Sequence, residues 1–403
     1  MPIEFSLPPE AKLAKKVAKR FVENELYPIE EEMDKYFKEN PRDLIEKAAK
    51  MGLMGVSIPK EYGGAGLGEI GYCAVMEEIG GFSSSFATIV GAHLGLGTTA
   101  LYLFGNEEQR KKYLPKLTKG EWIAAFGLTE DQAGSDASNI TTTAKREGDE
   151  WVLNGRKIFI TNGDIADIVI IFAMTDKALG AGGISAFIVE TDTPGFSVGS
   201  HFRKMGIRGS ATVELILEDV RVPKENLLGE LNRGFIYGLV TLDGGRTTVS
   251  CGAVGAARRI LNYLIEYANI AKRKGIPMSH YQTIQWAVAE IGAEVRAGKF
   301  FAYHTAKLID EYFEKIAKRK PVPRPFRELV TRDSALSKMY CSELASRAIE
   351  KVMRLVGTYG YLEGYTLERA FRDSIISEIY EGTNEIQRYV AGRELIRRGR
   401  WFE

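Results

Sequence analysis

The spacing of apolar residues changes twice along this 403-residue chain, and these changes constrain the fold more than any single motif. In residues 1–121 apolar residues recur every three or four positions, which is typical of amphipathic helices. In residues 122–235 short β-rich runs alternate with turn residues, which predicts strands. In residues 236–403 the helical spacing returns and persists. We therefore predict an α+β multidomain fold with a helical N-terminal domain, a middle antiparallel β-barrel or sandwich domain and a C-terminal helical bundle.

Local signals predict several element boundaries. In "EWVLNGRKIFITNG", Asn154-Gly155 supplies the positive φ angles of a tight turn, which predicts a hairpin. Further strand-like runs are "IVIIFAMT", "GISAFIVET", "FSVGSH" and "ATVELILEDVRVP". Gly357 follows a helical apolar stripe and is predicted to end that helix as a C-cap. The basic, proline-containing stretch "KRKPVPRPFREL" is interpreted as an exposed loop.

Composition argues against several classes of protein. A net charge of +1 lacks the strong positive field of a dedicated nucleic-acid binder. No apolar run approaches the roughly 20 residues that span a bilayer, so we predict no membrane span. The start "MPIEFSLPPEAKLAKK" lacks the apolar core of an export signal. The 3 scattered cysteines fit a reducing cytoplasm, and the 4 histidines lack metal-ligand spacing, so no metal site is predicted.

The stretch "GLGEIG", Gly66 to Gly71, formally matches the dinucleotide-binding pattern G-x-G-x-x-G. That interpretation requires a preceding strand and a following helix inside a βαβ unit. The neighbourhood here is helical and rich in Gly and Pro, without the alternation of a parallel sheet. We therefore interpret the stretch as a glycine-rich connecting loop.

Two polar stretches could bind a planar ligand. "FGLTEDQAGSDAS", residues 126–138, combines glycines that let backbone approach a ligand with the hydroxyls of Thr129 and Ser135. In "RKIFITNG", Phe159 and Thr161 stand two residues apart, so in a strand both side chains point to one face. They would offer an aromatic wall and a hydrogen-bond donor to a heteroaromatic cofactor. The alternative is a packed Phe beside a surface Thr.

Together with "RKMGIRGS", "LEDVRVPKENLLGE" and "FRDSIISEIYEGTNEIQR", these stretches resemble the acyl-CoA dehydrogenase family in order and spacing, over nearly the whole chain. Members of that family use FAD to introduce a double bond between the α and β carbons of acyl-CoA thioesters. The resemblance implies a C-terminal four-helix bundle and a homotetramer built as a dimer of dimers. It also implies an acyl-CoA substrate and electron-transfer flavoprotein as the electron acceptor.

The resemblance assigns roles by position. It assigns the flavin side of the FAD site to Phe126, Leu128, Thr129, Ser135, Phe159 and Thr161. It assigns the part of FAD held by a neighbouring subunit to Arg273, Gln282, Arg354 and Gly357, and the adenosine contacts to Thr383 and Glu385. It assigns substrate contacts to Ser135, Asp243, Arg246 and Gly382.

The chain departs from the family pattern at three places. Phe159 stands where relatives usually have Trp, and it offers less stacking surface and no N–H. The usual Phe-Gly after Arg273 is replaced by residues 275–277, "GIP". Arg354 stands where Gln is usual, and an Arg can add charge-assisted hydrogen bonds to a pyrophosphate.

The resemblance implies that Glu381, in "EIYEGTNEIQR", is the catalytic base. In the family a carboxylate removes the α-proton while the β-hydrogen leaves as hydride to flavin N5. The thioester oxygen is held meanwhile by the base's own N–H and by a ribityl hydroxyl. Gly382 permits the tight turn that this requires. Some relatives carry the base at the position of Gly245, which cannot act as a base.

The environment of Glu381 holds two opposing effects. Asn384 and Gln387 resemble a capping box, so Glu381 precedes a helix N-terminus, which favours the ionised carboxylate. Bound substrate expels water and raises the carboxyl pKa. We expect desolvation to dominate once acyl-CoA is bound.

Substrate length is predicted from "FATIVGAHLGLG", in which Ala87, Gly91 and Ala92 suggest a deep acyl cavity. "GAHLGLG" resembles the very-long-chain branch, so we expect a medium-to-long straight-chain acyl-CoA. No Arg stands near Ser85, which disfavours a dicarboxylyl substrate. One alternative is an oxidase that passes electrons to oxygen, which would form peroxide. The other is a non-catalytic nucleic-acid-binding relative, disfavoured by the neutral net charge.

Overall fold

The structure, a computed structural model, describes residues 7–35 and 41–398. The predicted outer domains extend to residues 1–6 and 399–403, which lie outside the described residues. Helices precede and follow a curled sheet, as the change of periodicity predicts. The fold class is therefore confirmed as a helical N-terminal domain, a middle β domain and a C-terminal helical domain.

The N-terminal helices include two that form part of the protein core. The α-helices are α1 (Pro9–Phe21), α2 (Glu30–Met33), α3 (Arg42–Lys50), α4 (Gly68–Phe82), α5 (Ser84–Val90), α6 (Thr99–Phe104) and α7 (Glu107–Thr118). Short helical turns of other pitch lie at Val22–Leu26, Tyr27–Ile29, Lys60–Tyr62 and Gly91–Thr98. Helices α4 and α5 are apolar on nearly all sides and mostly buried, which is expected of a helix surrounded by protein.

The run Ser84–Phe104 corrects one prediction. By length and composition, its 21 helical residues are apolar enough to cross a membrane, so the statement that no run approaches this length was wrong. Its Gly, Ala and Thr residues lower the average hydrophobicity of the run, which makes it harder to recognise in the sequence. In the fold, 72% of the apolar window is buried, as in the core helix of a globular protein.

The middle domain is a 7-stranded sheet. Its strands are β1 (Ala124–Gly127), β2 (Thr143–Glu147), β3 (Glu150–Thr161), β4 (Ile168–Met174), β5 (Ile184–Glu190), β6 (Phe196–His201) and β7 (Thr212–Pro223). The order is β1-β4-β2-β3-β7-β6, with β5 also paired to β4. Most pairs are antiparallel, but β4 runs parallel to β1 and, at one residue pair, to β2. The parallel pairs join distant segments and leave no local sequence signal.

The predicted hairpin at Asn154-Gly155 is wrong. The chain turns earlier, at Gly148, and both residues lie inside β3, where its register with β7 shifts. Asn154 donates to the Asp219 carboxylate at 2.9 Å. A Cβ at Gly155 would lie 2.4 Å from the Thr142 hydroxyl oxygen. The glycine therefore serves a close approach between strands and not a turn.

The C-terminal domain is built on three long helices that pack against one another. Its helices are α8 (Gly234–Ile270), α9 (Gln282–Ala317), α10 (Arg324–Val356), α11 (Thr358–Tyr361), α12 (Thr366–Ser374) and α13 (Asn384–Arg398), and a small hairpin is formed by β8 (Lys272–Arg273) and β9 (Ile276–Pro277). Further 3-10 turns lie in the middle domain at Ala137–Asn139, Lys177–Gly183 and Lys224–Asn226, and in the C-terminal domain at Met278–His280 and Ile375–Glu378.

Two predicted boundaries of α10 have different outcomes. Gly357 ends the helix with a φ of +77°, as predicted. Only the first half of the stretch "KRKPVPRPFREL" is a loop, because α10 already begins at Arg324. Pro325 occupies the first turn, where a missing N–H breaks no intrahelical hydrogen bond. Pro325 therefore belongs to the helix start, whereas Pro321 and Pro323 precede the helix.

Helix α4 contacts α8 closely. A Cβ at Gly80 would lie 2.7 Å from the Cα of Gly252, so only glycine fits at this crossing. Close backbone packing of this kind joins the N-terminal helices to the C-terminal helices. It fixes the rear wall of the cavity described next.

Candidate active site

A cavity of about 650 Å³ lies where the three domains meet. Helices α4, α5, α8, α10 and α12, strands β1 and β3, and the segment before α13 line it. Its volume is in the range of pockets that bind cofactors and substrates. The predicted site residues that line it are Phe126, Leu128, Thr129, Ser135, Phe159, Thr161, Arg246, Glu381, Gly382 and Thr383.

One end of the cavity presents aromatic rings and hydroxyls. Phe159 is 58% exposed towards open space and packs against Phe202, with ring centroids 4.8 Å apart. Phe159 and Thr161 both line the cavity, but simple strand alternation does not place them there. The register of β3 shifts between Lys157 and Ile160, and Phe159 has a φ of +57°. A bulge therefore aims the ring, which the sequence pattern could not indicate.

A buried ion pair supports this end. Lys157 is buried and donates to the Glu130 carboxylate at 2.7 Å and to the Leu128 carbonyl at 3.1 Å. Burial would raise the pKa of Glu130, but the charge and hydrogen bond of Lys157 outweigh it and lower the pKa to about 2. The pair thus ties the loop after β1 to β3. Sequence reasoning missed it, because Lys157 and Glu130 are 27 residues apart in the chain.

The residues at this end fit a flavin. Phe126 and Phe159 offer faces for a planar ring, and Thr129, Ser135 and Thr161 offer hydroxyls. At Gly134 nothing lies within 4 Å of a built Cβ, so the loop leaves room beside the backbone.

The backbone at Glu381 is held in an unusual conformation. Glu381 has a φ of +54°, which non-glycine residues rarely adopt and which functional sites often contain. Its carbonyl accepts from Arg246 Nε at 3.3 Å and from Gln387 Nε2 at 3.2 Å. The Gly382 carbonyl accepts from Gln387 Nε2 at 2.8 Å and from Lys338 Nζ at 3.0 Å. Three side chains therefore fix the two carbonyls of this turn.

The carboxyl group of Glu381 is buried against α8. Its Oε2 has no hydrogen-bond partner, and a Cβ at Gly245 would lie only 2.1 Å from that oxygen. Burial raises the pKa of Glu381 to about 7, although the charges of Arg246 and Lys338 oppose the rise. Desolvation thus dominates in the protein alone, before any substrate adds to it.

The predicted capping box is wrong. Thr383 caps α13, because its hydroxyl accepts from the Ile386 N–H at 3.3 Å. Asn384 is buried and its side chain contacts Lys338 and Ser342. Gln387 turns back to the carbonyls before the helix. Tertiary partners therefore occupy both side chains that the local pattern assigned to the cap.

Asp243 is not brought to the cavity wall. It is buried and accepts from Arg246 at 2.8 Å, from the Thr331 hydroxyl at 3.0 Å and from the Ser334 hydroxyl at 3.0 Å. Asp243 thus holds Arg246, which does line the cavity. Its contact with substrate stays a prediction.

The remaining predicted FAD residues lie apart from the cavity. Arg273, Gln282, Arg354, Gly357 and Glu385 are all exposed and do not line it. Arg354 pairs with Glu350 at 2.6 Å. For the first four, the resemblance assigned contacts to FAD of a neighbouring subunit, and within one chain they stay predictions.

The described residues hold no cluster of three or more His, Cys, Asp or Glu that could bind a metal.

Three domain families match the chain in succession. The N-terminal domain of acyl-CoA dehydrogenases matches residues 8–121, the middle domain matches residues 125–220 and the C-terminal domain matches residues 232–396. The chain belongs to the acyl-CoA dehydrogenase family. It is an oxidoreductase with FAD as its cofactor.

Individual relatives agree with this assignment. A short-chain-specific acyl-CoA dehydrogenase from Clostridium acetobutylicum is 38% identical, over 98% of this chain and 100% of that protein. The acyl-CoA dehydrogenase of Bacillus anthracis, solved with FAD, is 37% identical with a TM-score of 0.91, over 99% of this chain and 68% of that one. A chain solved in work on the electron transferring flavoprotein of Acidaminococcus fermentans is 39% identical with a TM-score of 0.91, over 98% and 100%.

The relatives correct the predicted branch of the family. We expected a resemblance to medium-, long- and very-long-chain members, whereas the related acyl-CoA dehydrogenases support the short-chain type. The expectation rested on "GAHLGLG", residues 91–97, which lie in the helical turn Gly91–Thr98 after α5. Small residues at these positions reflect the packing of the helical turn as well as the depth of the cavity.

In an acyl-CoA dehydrogenase these residues have definite tasks. Phe126, Leu128, Thr129, Phe159 and Thr161 would hold the flavin ring of FAD, which supplies the hydride acceptor when bound. Glu381 lies in the same cavity, with a carboxyl that ionises near neutral pH. Such a group can accept a proton without holding it too tightly to release it.

Proposed function

We propose that the protein dehydrogenates straight-chain acyl-CoA thioesters to trans-2-enoyl-CoA, with Glu381 removing the α-proton. The observation that carries this proposal is the unpartnered, buried Oε2 of Glu381 in the cavity that also contains the flavin-side residues. A buried carboxylate without a partner is costly, and a function explains its retention. The turn at Glu381–Gly382 would present the Glu381 N–H to the thioester oxygen as its charge develops.

We place the preferred acyl chain between short and medium length. The name of the Clostridium relative supports a short chain, and the space at Gly91 supports somewhat more than a butyryl group, since nothing lies within 4 Å of a built Cβ there. A dicarboxylyl substrate stays disfavoured, because no Arg stands near Ser85 in the sequence and buried Ser85 accepts from the Gly209 N–H at 3.2 Å.

Anaerobic titration of the FAD-loaded protein tests both points. Absorbance of the flavin should bleach fastest with butyryl-CoA to octanoyl-CoA. Faster bleaching with palmitoyl-CoA, isovaleryl-CoA or glutaryl-CoA would refute the proposed chain, and no bleaching with any of them would refute the reaction.

We infer that electrons pass to an electron-transfer flavoprotein. The similar chain from the work on the Acidaminococcus electron transferring flavoprotein supports this acceptor. The alternative is the oxidase reaction. Hydrogen peroxide formed in a one-to-one ratio with enoyl-CoA under air would favour the oxidase, whereas slow reoxidation by air and fast reoxidation by an added electron-transfer flavoprotein would support the proposal.

We further propose a homotetramer in which each FAD contacts two chains. The exposure of Arg273, Gln282 and Arg354 away from the cavity supports this arrangement, and so do large exposed apolar side chains nearby, Ile270 at 80% and Trp286 at 61%. Arg273→Ala should lower FAD retention during gel filtration without changing the secondary structure. A monomer that retains FAD would contradict the proposal.

We also propose a cytoplasmic role in fatty acid β-oxidation.

A further inference from the structure

Lys338, on α10, is a buried cation beside the catalytic turn. Its side chain is 0% exposed. Its Nζ donates to the Gly382 carbonyl at 3.0 Å and to Asn384 Oδ1 at 2.9 Å. Asn384 in turn donates to the Ser342 hydroxyl at 3.0 Å and to the Glu343 carboxylate at 3.2 Å. Burying an ammonium group is costly unless it is paired and hydrogen-bonded, so these contacts require an explanation.

The contacts of Lys338 restrain the turn that carries the base. The Gly382 carbonyl accepts from Lys338 on α10 and from Gln387 on α13. The opposite face of the turn, with the Glu381 side chain, points into the cavity. Because Glu381 has a left-handed backbone conformation, the turn would relax if these contacts were lost. Lys338 therefore contributes to the placement of the Glu381 carboxyl group.

The charges around Lys338 come from four elements. Arg246 on α8 is a cation, while Glu378 before the turn, Glu381 in it and Glu385 on α13 are anions. Arg246 already has a buried counter-charge in Asp243, at 2.8 Å. Glu381 is thus the buried anion that balances Lys338. When Glu381 accepts a proton, the positive charge of Lys338 is left to stabilise negative charge that develops on the thioester oxygen.

We propose that Lys338 is a positioning residue for Glu381, which holds the Glu381–Gly382 turn in place through the Gly382 carbonyl and whose ammonium charge keeps the Glu381 carboxylate ionised near neutral pH. This proposal rests on the proposed function of Glu381. No role follows for Lys338 from the resemblance, and no motif points to it.

Lys338 and Glu381 should together set the pH dependence of the activity. Burial lowers the pKa of Lys338 to about 8, with the anions opposing and Arg246 adding to the fall. Glu381 must lose its proton to act, with a pKa of about 7. Activity should therefore rise as pH increases through about 7. It should fall above about 8, because neutral Lys338 no longer stabilises the negative charge that develops on the thioester oxygen. Without that charge Glu381 is harder to ionise, so its own pKa rises.

The experiment compares Lys338→Met, Lys338→Arg and wild type by flavin reduction under saturating acyl-CoA from pH 5.5 to 10. We expect Lys338→Met to lower the reduction rate about tenfold or more, to move the acid limb up by about one pH unit and to lack the alkaline limb. Lys338→Arg keeps the charge and should leave the acid limb at its wild-type pH. Lys299→Met, far from the turn and paired with Glu77 at 3.3 Å, is the control for removing a lysine charge.

Each outcome decides the proposal. An unchanged acid limb in Lys338→Met would overturn it, even if the rate fell, because a merely structural residue would lower the rate without moving the pKa. Should Lys338→Met fail to fold or to bind FAD, the wild-type profile decides, since a rate that stays flat up to pH 10 overturns the proposal and a fall above about pH 8 supports it. If the wild-type flavin is not reduced by any acyl-CoA, the proposed function itself fails.

Discussion

Two glutamates with buried carboxyl groups, Glu77 and Glu381, have pKa values shifted in opposite directions. The Glu77 carboxylate accepts from Lys15, from Arg258 at 2.8 Å and from the Tyr303 hydroxyl at 2.6 Å. Burial would raise its pKa, but the charges of Lys15, Arg258 and Lys299 outweigh burial and lower it to about 2. Glu381 has one unpartnered oxygen, and burial raises its pKa to about 7.

The difference between them is the contact with cations. Around Glu77, on α4, cations from three helices contact the carboxylate directly and keep it ionised. Around Glu381, Arg246 and Lys338 bond to carbonyls of the turn instead of to the carboxylate. Their positive charges oppose the rise in the pKa of Glu381, but the carboxyl group itself stays free for substrate. The first arrangement stabilises the fold, and the second leaves a proton acceptor.

The largest expected effect is on Glu381. Glu381→Gln keeps the shape of the side chain but removes its ability to accept a proton, so flavin reduction by acyl-CoA should slow by about 10³-fold or more. FAD content and melting temperature should stay close to wild type. Glu363→Gln, an exposed carboxylate before α12, serves as the matched control. Reduction by Glu381→Gln at a near-normal rate would exclude Glu381 as the base.

Glu77→Gln should act on stability and leave catalysis intact. It leaves Lys15 and Arg258 part-buried without their main counter-charge, and breaking a buried pair in this way costs about 3–5 kcal/mol. Denaturant unfolding should report the loss, with little change in the rate per folded, FAD-loaded protein. Glu78→Gln removes a more exposed partner of the same cations and should cost less. Equal stability of wild type and Glu77→Gln would contradict this.

Gly245→Ala should displace the base without changing its chemistry. The added Cβ would lie 2.1 Å from Glu381 Oε2, so the carboxyl group must move. A displacement of about 1 Å at a reacting group can cost about 10²-fold in rate. Gly292→Ala on α9, where the nearest atom is 3.8 Å from the built Cβ, is the control for adding a methyl group to a helix. A wild-type rate in Gly245→Ala would show that the carboxyl group has other room.

The smallest expected effects are those of pH on stability. The contributions of Glu77 and Glu381 to the free energy of unfolding change with pH in opposite directions. Glu77, with a pKa near 2 against an ordinary 4.5, stabilises the fold above about pH 4.5, and this stability is lost as pH falls towards 2. Glu381, raised to about 7, favours the fold while protonated, and that contribution is lost as pH rises from 4.5 through 7.

Activity and stability therefore respond differently. Below pH 7, kcat/KM should fall about tenfold per pH unit because Glu381 is protonated, while unfolding experiments should show no loss of stability until the pH approaches 4.5. A parallel loss of both would mean that unfolding, and not protonation of the base, limits activity.

Predictions from sequence succeeded where the signal was local or lay in several motifs at once. The order of the domains followed from periodicity, and the family followed from several motifs in register. The same motifs named Glu381, which the structure places in the cavity wall. They failed where a distant residue decided the outcome. Asn154-Gly155 has turn composition but pairs within β3, and Asn384 has cap composition but binds Lys338. Lys157 and Lys338 were missed because nothing beside them in the chain indicates their partners.

The amino-acid sequence by itself determined which segments are helical or extended, and which motifs identify the family, because periodicity and motif order are properties of neighbouring residues. Only the tertiary structure decided which charges meet and which carboxyl groups stay unpaired. Those pairings join residues far apart in the chain, such as Arg246 with the Glu381 carbonyl and Lys15 with Glu77. The desolvation that separates a structural carboxylate from a proton acceptor arises only when the helices pack.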